Sequence, residues 1–274
     1  MTAVQANGIT IEYETLGSPD DEPMLLVMGH GAQLVNWSRG FLEALVAEGY
    51  FVIVYDNRDV GMSTKFPLGT SYTVSDMAAD GMALLDVLGI ESAHIVGASL
   101  GGGIVQYMAI EHPHRLRSLC SIMSTTSAPG LPGPPEDVIT AMMRPPVTER
   151  ADVIESAVEA AHIIGSTAFA IDEDDVRARA ALSYDRGFHP DGRVNQTMAI
   201  AAAGDRTEAL GAVTVPTVVI HGTVDKLVSP VGGELTAKAI PGSTLVMIEG
   251  MGHDLPEGAW PVVVDAIVTN ARKA

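Results

Sequence analysis

Short apolar runs rich in β-branched residues alternate with amphipathic runs of helical period through the first half of the chain. The apolar runs carry almost no charge, which is typical of strands that are buried on both faces of a parallel sheet. An alternation of this kind places helices on both faces of such a sheet. The sequence therefore predicts an α/β fold with a mostly parallel, eight-stranded sheet.

The predicted elements follow one another with short connections. The first two strands form a hairpin, because Asn7-Gly8 is a strong signal for a two-residue turn. The predicted strands span residues 2–6, 9–16, 24–28, 50–55, 93–97, 116–124, 215–221 and 245–248. The predicted helices of the same unit span residues 37–48, 74–88, 100–111, 233–240 and 260–272.

The rhythm changes between about Ser127 and Gly204. A link rich in proline and glycine leads into segments of helical period without a convincing strand, of which 153–164 and 174–184 are the clearest helices. One domain with an insertion explains this pattern more simply than two tandem domains. We therefore expect a core of residues 1–126 and 205–274 with a helical insertion of residues 127–204.

Charge and composition exclude several classes of partner. The formal net charge of −18 over 274 residues repels nucleic-acid phosphates and anionic lipids, so neither is an expected partner. The single cysteine, Cys120, cannot form a disulfide within the chain. No secretory signal or membrane-spanning stretch is predicted, which favours a cytoplasmic protein acting on a small molecule. The oligomeric state stays open.

A serine lies where one predicted strand turns directly into a helix. Residues 97–101 read Gly-Ala-Ser-Leu-Gly, a pattern that is weak as a bare string but strong in this context. The turn strains the backbone of Ser99 and exposes its hydroxyl at the carboxyl end of the strand. Gly97 and Gly101 let strand and helix approach without clashes of Cβ atoms. The pattern predicts that Ser99 is a nucleophile.

A serine nucleophile needs a neutral imidazole beside it and a carboxylate that orients the imidazole. His253 follows the last predicted strand and precedes a helix, so we expect it at the same sheet edge as Ser99. Asp225 follows the strand of residues 215–221 and is the predicted acid. Asp254 is the alternative acid, although neighbouring side chains point apart.

The order Ser99, Asp225, His253 along the chain is that of α/β-hydrolases, and the whole chain resembles this superfamily. Within it, residues 28–31 and 55–64 are similar to the aclacinomycin methylesterase group and related bacterial carboxylesterases. The resemblance implies that the insertion is a cap that roofs the nucleophile. Met142 and Met198 lie in this insertion and suit an adaptable apolar substrate pocket.

The resemblance also indicates an oxyanion hole. In the family, a tryptophan commonly lies nine residues after a motif histidine, and counting back nine from Trp37 reaches Met28. This alignment implies that the amide of His30 is one donor and that the amide of Leu100 is the other. The alternative alignment, on the visible His30-Gly31 pair, names Ala32 instead.

The residues and the resemblance together predict a serine hydrolase that cleaves small carboxylic esters through an acyl-enzyme on Ser99. Neither a metal nor an organic cofactor is expected. Lactone opening, carbon–carbon bond hydrolysis and perhydrolysis by the same triad remain open at this point. A ligand receptor of this fold with little turnover is a further alternative, since a fold hosts many functions.

Overall fold

The computed structural model describes residues 1–142, 144 and 147–274, and its centre is one eight-stranded sheet. The strands lie in the order β1-β2-β4-β3-β5-β6-β7-β8, and all neighbours from β4 to β8 run parallel, whereas β2 is antiparallel to β1 and β4. The bounds are β1 Thr2–Ala6, β2 Ile9–Leu16, β3 Glu22–Val27, β4 Tyr50–Tyr55, β5 Ala93–Ala98, β6 Leu116–Ile122, β7 Thr217–Gly222 and β8 Thr244–Ile248.

Ten α-helices are present in the described part of the chain. Those that pack on the sheet or close to it are α1 Arg39–Ala47, α2 Val74–Val87, α3 Leu100–Glu111, α8 Thr207–Leu210, α9 Pro230–Ala239 and α10 Trp260–Ala271. Those between β6 and the short α8 are α4 Glu136–Met142, α5 Arg150–Ile164, α6 Glu173–Gly187 and α7 Pro190–Ala202. No helix in the described ranges is long and apolar enough to cross a membrane.

Two apolar cores cover the two faces of the sheet, as the uncharged strands predict. Leu25 of β3 is buried in the core formed with α2 and α3, and the next residue, Leu26, is buried in the core formed with α1 and α10. Both side chains are 0% exposed. A central parallel strand therefore needs apolar residues at successive positions, which explains the continuous apolar runs.

The predicted sheet is confirmed, including its eight strands and the helices on both faces. The hairpin has the predicted bounds, and Asn7 and Gly8 both have positive φ, as a two-residue turn of this kind requires. Strand β3 begins earlier than predicted, at Glu22, because Glu22 and Pro23 pair with the start of β4.

Between β6 and β7 the described residues form helices and no strand. We call residues 127–204 the helical segment. Helix α5 begins three residues before its predicted start and ends at Ile164 as predicted, whereas α6 extends beyond the predicted bounds at both ends. The sequence does not predict α7 as a distinct helix, although it provides several buried polar contacts of the segment with the core, described below.

Candidate active site

Three loops at the carboxyl edge of the sheet bring Ser99, Asp225 and His253 together. Ser99 directly follows β5, Asp225 follows β7, and His253 follows β8. Because these strands are parallel, their carboxyl ends share one edge, where α/β proteins hold their functional residues. The three side chains form one hydrogen-bonded chain at that edge.

Ser99 occupies a strained turn. Its backbone has φ 56° and ψ −120°, a conformation that residues with a Cβ rarely adopt. The amide of Ser99 donates to the carbonyl of Ile122 on β6 at 2.9 Å, which holds the turn against the sheet. A Cβ at Gly97 would overlap the Gly101 backbone, so this position requires glycine. Backbone geometry therefore places Ser99 at the carboxyl edge of the sheet.

The imidazole of His253 bridges the serine and the aspartate. Its Nδ1 lies 2.7 Å from Asp225 Oδ2, and its Nε2 lies 2.9 Å from Ser99 Oγ. A carboxylate only accepts, so Nδ1 carries the proton and Nε2 is free to accept the hydrogen of the Ser99 hydroxyl. The imidazole thus has the tautomer that a general base needs.

Asp225 is held as a carboxylate by several donors. The amides of Leu227 and Val228 each donate to Oδ1 at 2.9 Å, and His221 Nε2 lies 3.3 Å from Oδ2. Burial alone raises the pKa of Asp225, but the hydrogen bonds from His221, His253 and the Val228 amide outweigh it and hold the pKa at about 2. Asp225 is therefore ionised at neutral pH.

The alternative acid, Asp254, has a different partner. Its carboxylate accepts a hydrogen bond of 2.5 Å from the hydroxyl of Ser166, which lies in the helical segment. The same hydroxyl oxygen accepts from the amide of Gly252 at 3.0 Å. Asp254 therefore fixes the loop around His253 to the helical segment, while Asp225 contacts the imidazole.

The loop after β3, residues 28–33, lies beside Ser99. A Cβ placed on Gly29 would lie 3.0 Å from Ser99 Cβ and 3.5 Å from its Oγ, so Gly29 approaches the serine closely because it lacks one. Ala32, the alternative donor, uses its amide in a turn to the carbonyl of Gly29 at 3.2 Å. The amides of His30 and Leu100 donate to no other described residue.

Buried polar contacts join the helical segment to the loops after β3 and β4, and the sequence did not indicate them. Arg186 of α6 donates to Asp56 at 3.0 Å, an ion pair in which Asp56 is fully buried. Gln196 of α7 accepts from the amide of Gly31 at 2.8 Å. Partners more than a hundred residues apart leave no local pattern, so no motif could have revealed them.

The structure describes the side chain of only one of the two predicted pocket residues. Met198 lies on α7 and is 41% exposed, which leaves its side chain accessible. Met142 ends α4, and its side chain lies outside what the structure describes. Their contact with a substrate therefore remains a proposal.

Within the described residues, no three His, Cys, Asp or Glu side chains are grouped to hold a metal ion.

A mostly parallel sheet that carries a serine on a strained strand-to-helix turn, with a hydrogen-bonded imidazole beside it, is typical of hydrolases of the α/β-hydrolase fold. The chain matches the family described as alpha/beta hydrolase fold across residues 22–258, and it belongs to that family. The predicted superfamily is thereby confirmed. The predicted enzyme class, a carboxylic ester hydrolase, is confirmed by this match together with the relatives that follow.

Relatives span nearly the whole chain. Rhodomycin D methylesterase DnrP of Streptomyces peucetius is 31% identical over 97% of this chain and 96% of the relative. The solved esterase of Thermogutta terrifontis is 26% identical, with a TM-score of 0.78 and 100% and 99% of the two chains covered. The enol-lactonase of Burkholderia xenovorans has a TM-score of 0.79 at 22% identity over 99% and 100% of the chains, and supports the fold alone.

Proposed function

We propose that this chain hydrolyses small carboxylic esters through an acyl-enzyme on Ser99, with His253 as general base and Asp225 as the orienting acid. The observation that carries the proposal is the imidazole of His253, which lies within 3 Å of both the serine hydroxyl and the buried carboxylate. This is the arrangement that turns an unreactive hydroxyl into a nucleophile near neutral pH.

In the first half of the reaction, Ser99 Oγ attacks the ester carbonyl carbon while His253 Nε2 takes the hydroxyl proton. The tetrahedral intermediate then collapses, and the imidazolium gives its proton to the departing alcohol. Asp225 stabilises the imidazolium between these two steps. In the second half, the oxygen of a water molecule attacks the acyl carbon while His253 Nε2 takes a proton from that water. The imidazolium then gives this proton to Ser99 Oγ as the bond between Oγ and the acyl carbon breaks, and the carboxylic acid is released.

The charge on the carbonyl oxygen needs donors that are already in place. We assign this role to the amides of His30 and Leu100. The close approach of Gly29 to Ser99 and the turn that occupies the Ala32 amide support this choice. Leu100 also begins α3, where the helix dipole favours negative charge.

The helical segment acts in this proposal as a cap that shapes the substrate site. Its contacts with the loops that carry His30, Asp56 and His253 support a position over the carboxyl edge. We propose Met142 and Met198 as pocket residues of this cap. The similarity to a rhodomycin D methylesterase favours the methyl ester of a polyketide-like acid as the substrate class.

A fluorophosphonate probe tests the nucleophile, because such a probe bonds covalently to an activated serine. We expect Ser99 to be the labelled residue, and Ser99→Ala to lose labelling and about 10⁴-fold or more in ester turnover. A circular dichroism spectrum and melting curve close to those of the wild type would show that the variant is folded. Full activity in the folded Ser99→Ala variant would refute the proposal.

A substrate panel tests the reaction type. Methyl, short-chain and long-chain esters, lactones and 1,3-diketones are compared under one condition, with Ser99→Ala as the blank. We expect the largest kcat/KM for esters. A preference for lactones would indicate a lactonase, and a preference for diketones would indicate a carbon–carbon bond hydrolase. Binding without turnover would indicate a receptor.

A further inference from the structure

The amide side chain of Gln196 bridges two loops of the active-site edge. Gln196 lies on α7 and is 0% exposed. Its Oε1 accepts a hydrogen bond of 2.8 Å from the amide of Gly31, and its Nε2 donates one of 2.9 Å to the carbonyl of Arg58. A single buried side chain of the helical segment therefore joins the loop after β3 to the loop after β4.

The bond to Gly31 sets the direction of the neighbouring peptide groups. Gly31 has φ +65°, and its amide points to Gln196, while the amide of Ala32 turns back to the carbonyl of Gly29. Both donors are thereby occupied. The amide of His30 is the one donor of residues 30–32 without an acceptor among the described residues, and it adjoins Gly29, which packs against Ser99.

A second contact from the same helix fixes the preceding residue. The ring nitrogen Nε2 of His30 lies 2.8 Å from the carbonyl of Arg193 and 3.0 Å from the hydroxyl of Thr197. Burial lowers the pKa of His30, against a smaller opposing effect of its hydrogen bond to the Arg193 carbonyl, so the ring is neutral at neutral pH. Helix α7 thus holds residues 30 and 31 by two adjacent points.

From these contacts we infer that Gln196 is a positioning residue for the oxyanion hole. By accepting the hydrogen bond of the Gly31 amide, Gln196 orients the neighbouring peptide group so that the His30 amide points toward the reacting carbonyl. The inference rests on the proposed ester hydrolysis, and it makes α7 a determinant of kcat as well as of substrate range. Preorganised donors lower the barrier because they need no rearrangement during the reaction.

The neighbouring residue provides a matched control. Asn195 is 1% exposed and makes three hydrogen bonds to the core, against the two of Gln196. Its partners are Asp59, Pro67 and Gly69, all outside the loop of residues 28–33. Replacing Asn195 by Leu disturbs the attachment of α7 without touching the bond to Gly31. Replacing Gln196 by Met removes that bond with little change in shape.

The experiment compares kcat and KM for one methyl ester, and the Ki of an alkyl boronic acid, in the wild type, Gln196→Met, Gln196→Glu and Asn195→Leu. Gln196→Met should lose about 10- to 100-fold in kcat and in boronic acid affinity, with KM changed less than about threefold. Gln196→Glu keeps an oxygen acceptor for Gly31 and should recover part of the kcat. Asn195→Leu should lower the melting temperature at least as much as Gln196→Met but keep kcat within about threefold.

Equal kcat in Gln196→Met and Asn195→Leu, or a loss confined to KM, would overturn the positioning role while wild-type turnover stays intact. Absence of any Ser99-dependent turnover in the wild type would instead overturn the proposed ester hydrolysis itself, and this assignment with it. The two failures are therefore distinguishable by the wild-type measurement alone.

Discussion

The core and the helical segment are stabilised by different interactions. In the core, every residue of β5 is buried, and apolar side chains fill both faces of the sheet. In the helical segment, α5 buries only Val158, and α6, which the structure describes in full, buries no residue. Surface ion pairs such as Arg150–Asp185 connect its helices to each other, and buried polar bonds such as Arg186–Asp56 connect it to the core.

This difference separates two tasks within one chain. Apolar burial gives the core a rigid edge on which the serine, the imidazole and the carboxylate can be held in place. Polar attachment lets the sequence of the segment vary at its surface while a few buried bonds keep its position. We therefore expect changes in the core to affect all substrates alike and changes at exposed residues of the segment to affect them selectively.

The largest effect is expected for Asp225→Asn in the core. An asparagine side chain can donate to Nδ1 and favour the wrong tautomer of His253, so turnover should fall about 10³- to 10⁴-fold. The loss should be the same for short and long esters. A mild loss in kinetic assays would contradict the assigned acid and favour Asp254, for which Asp254→Asn is the matching control.

The second effect concerns the free energy of unfolding, and a leucine-to-alanine substitution made once in the core and once in the helical segment measures it. Leu25→Ala empties a fully buried site in β3 and should lower the free energy of unfolding by about 2–5 kcal/mol. Leu182→Ala on α6, where the side chain is 47% exposed, should change it by less than about 0.5 kcal/mol. Urea denaturation gives both values, and equal losses would contradict the comparison.

The third effect is a loss of folding stability at acidic pH. The pKa of Asp225 in the folded protein, about 2, lies below the value of about 3.9 expected in the unfolded chain. The resulting stabilisation is fully present above about pH 4 and is lost as the pH falls toward 2, a change on the order of 2 kcal/mol. Stability measured in the wild type and in Asp225→Asn should therefore converge in this range.

Asp185 of the helical segment is the control for that measurement. The hydrogen bond from Arg150 lowers the pKa of Asp185, but both side chains are exposed, and salt screens their attraction. Asp185→Asn should leave the pH dependence of stability almost unchanged at moderate salt. A pH dependence that disappears in Asp185→Asn instead would place the acid sensitivity in the segment.

The smallest effect is a change in substrate preference. Met198→Trp on α7 should change the ratio of kcat/KM between long and short esters by about 3- to 10-fold, because in the proposed cap the larger side chain would fill acyl space. Ile200→Trp is the control, since Ile200 is equally exposed, at 40%, but points to another side of the same helix. The same ratio in both variants would argue that Met198 does not face the substrate.

The sequence predicted the sheet far better than the contacts of the segment. The hairpin at Asn7-Gly8 and strand β4 have the predicted bounds, because turn chemistry and continuous apolar runs are local signals. The serine, histidine and aspartate could be proposed because parallel strands deliver their ends to one edge. Helix α7 could not, since its buried side chains include the polar Asn195 and Gln196, which break any apolar stripe.

The hydrogen bond from the amide of His253 to the carbonyl of Ile164, 2.7 Å long, has a consequence for shortening or recombining such enzymes. Ile164 ends α5, so the backbone of His253, the proposed general base, is anchored on the helical segment, whereas residues 250 and 251 are bonded to the core loop after β7. A shortened chain without residues 127–204 would keep Ser99, Asp225 and His253 and still lose this anchor. The segment and the histidine loop are therefore best inherited, grafted or redesigned as one unit.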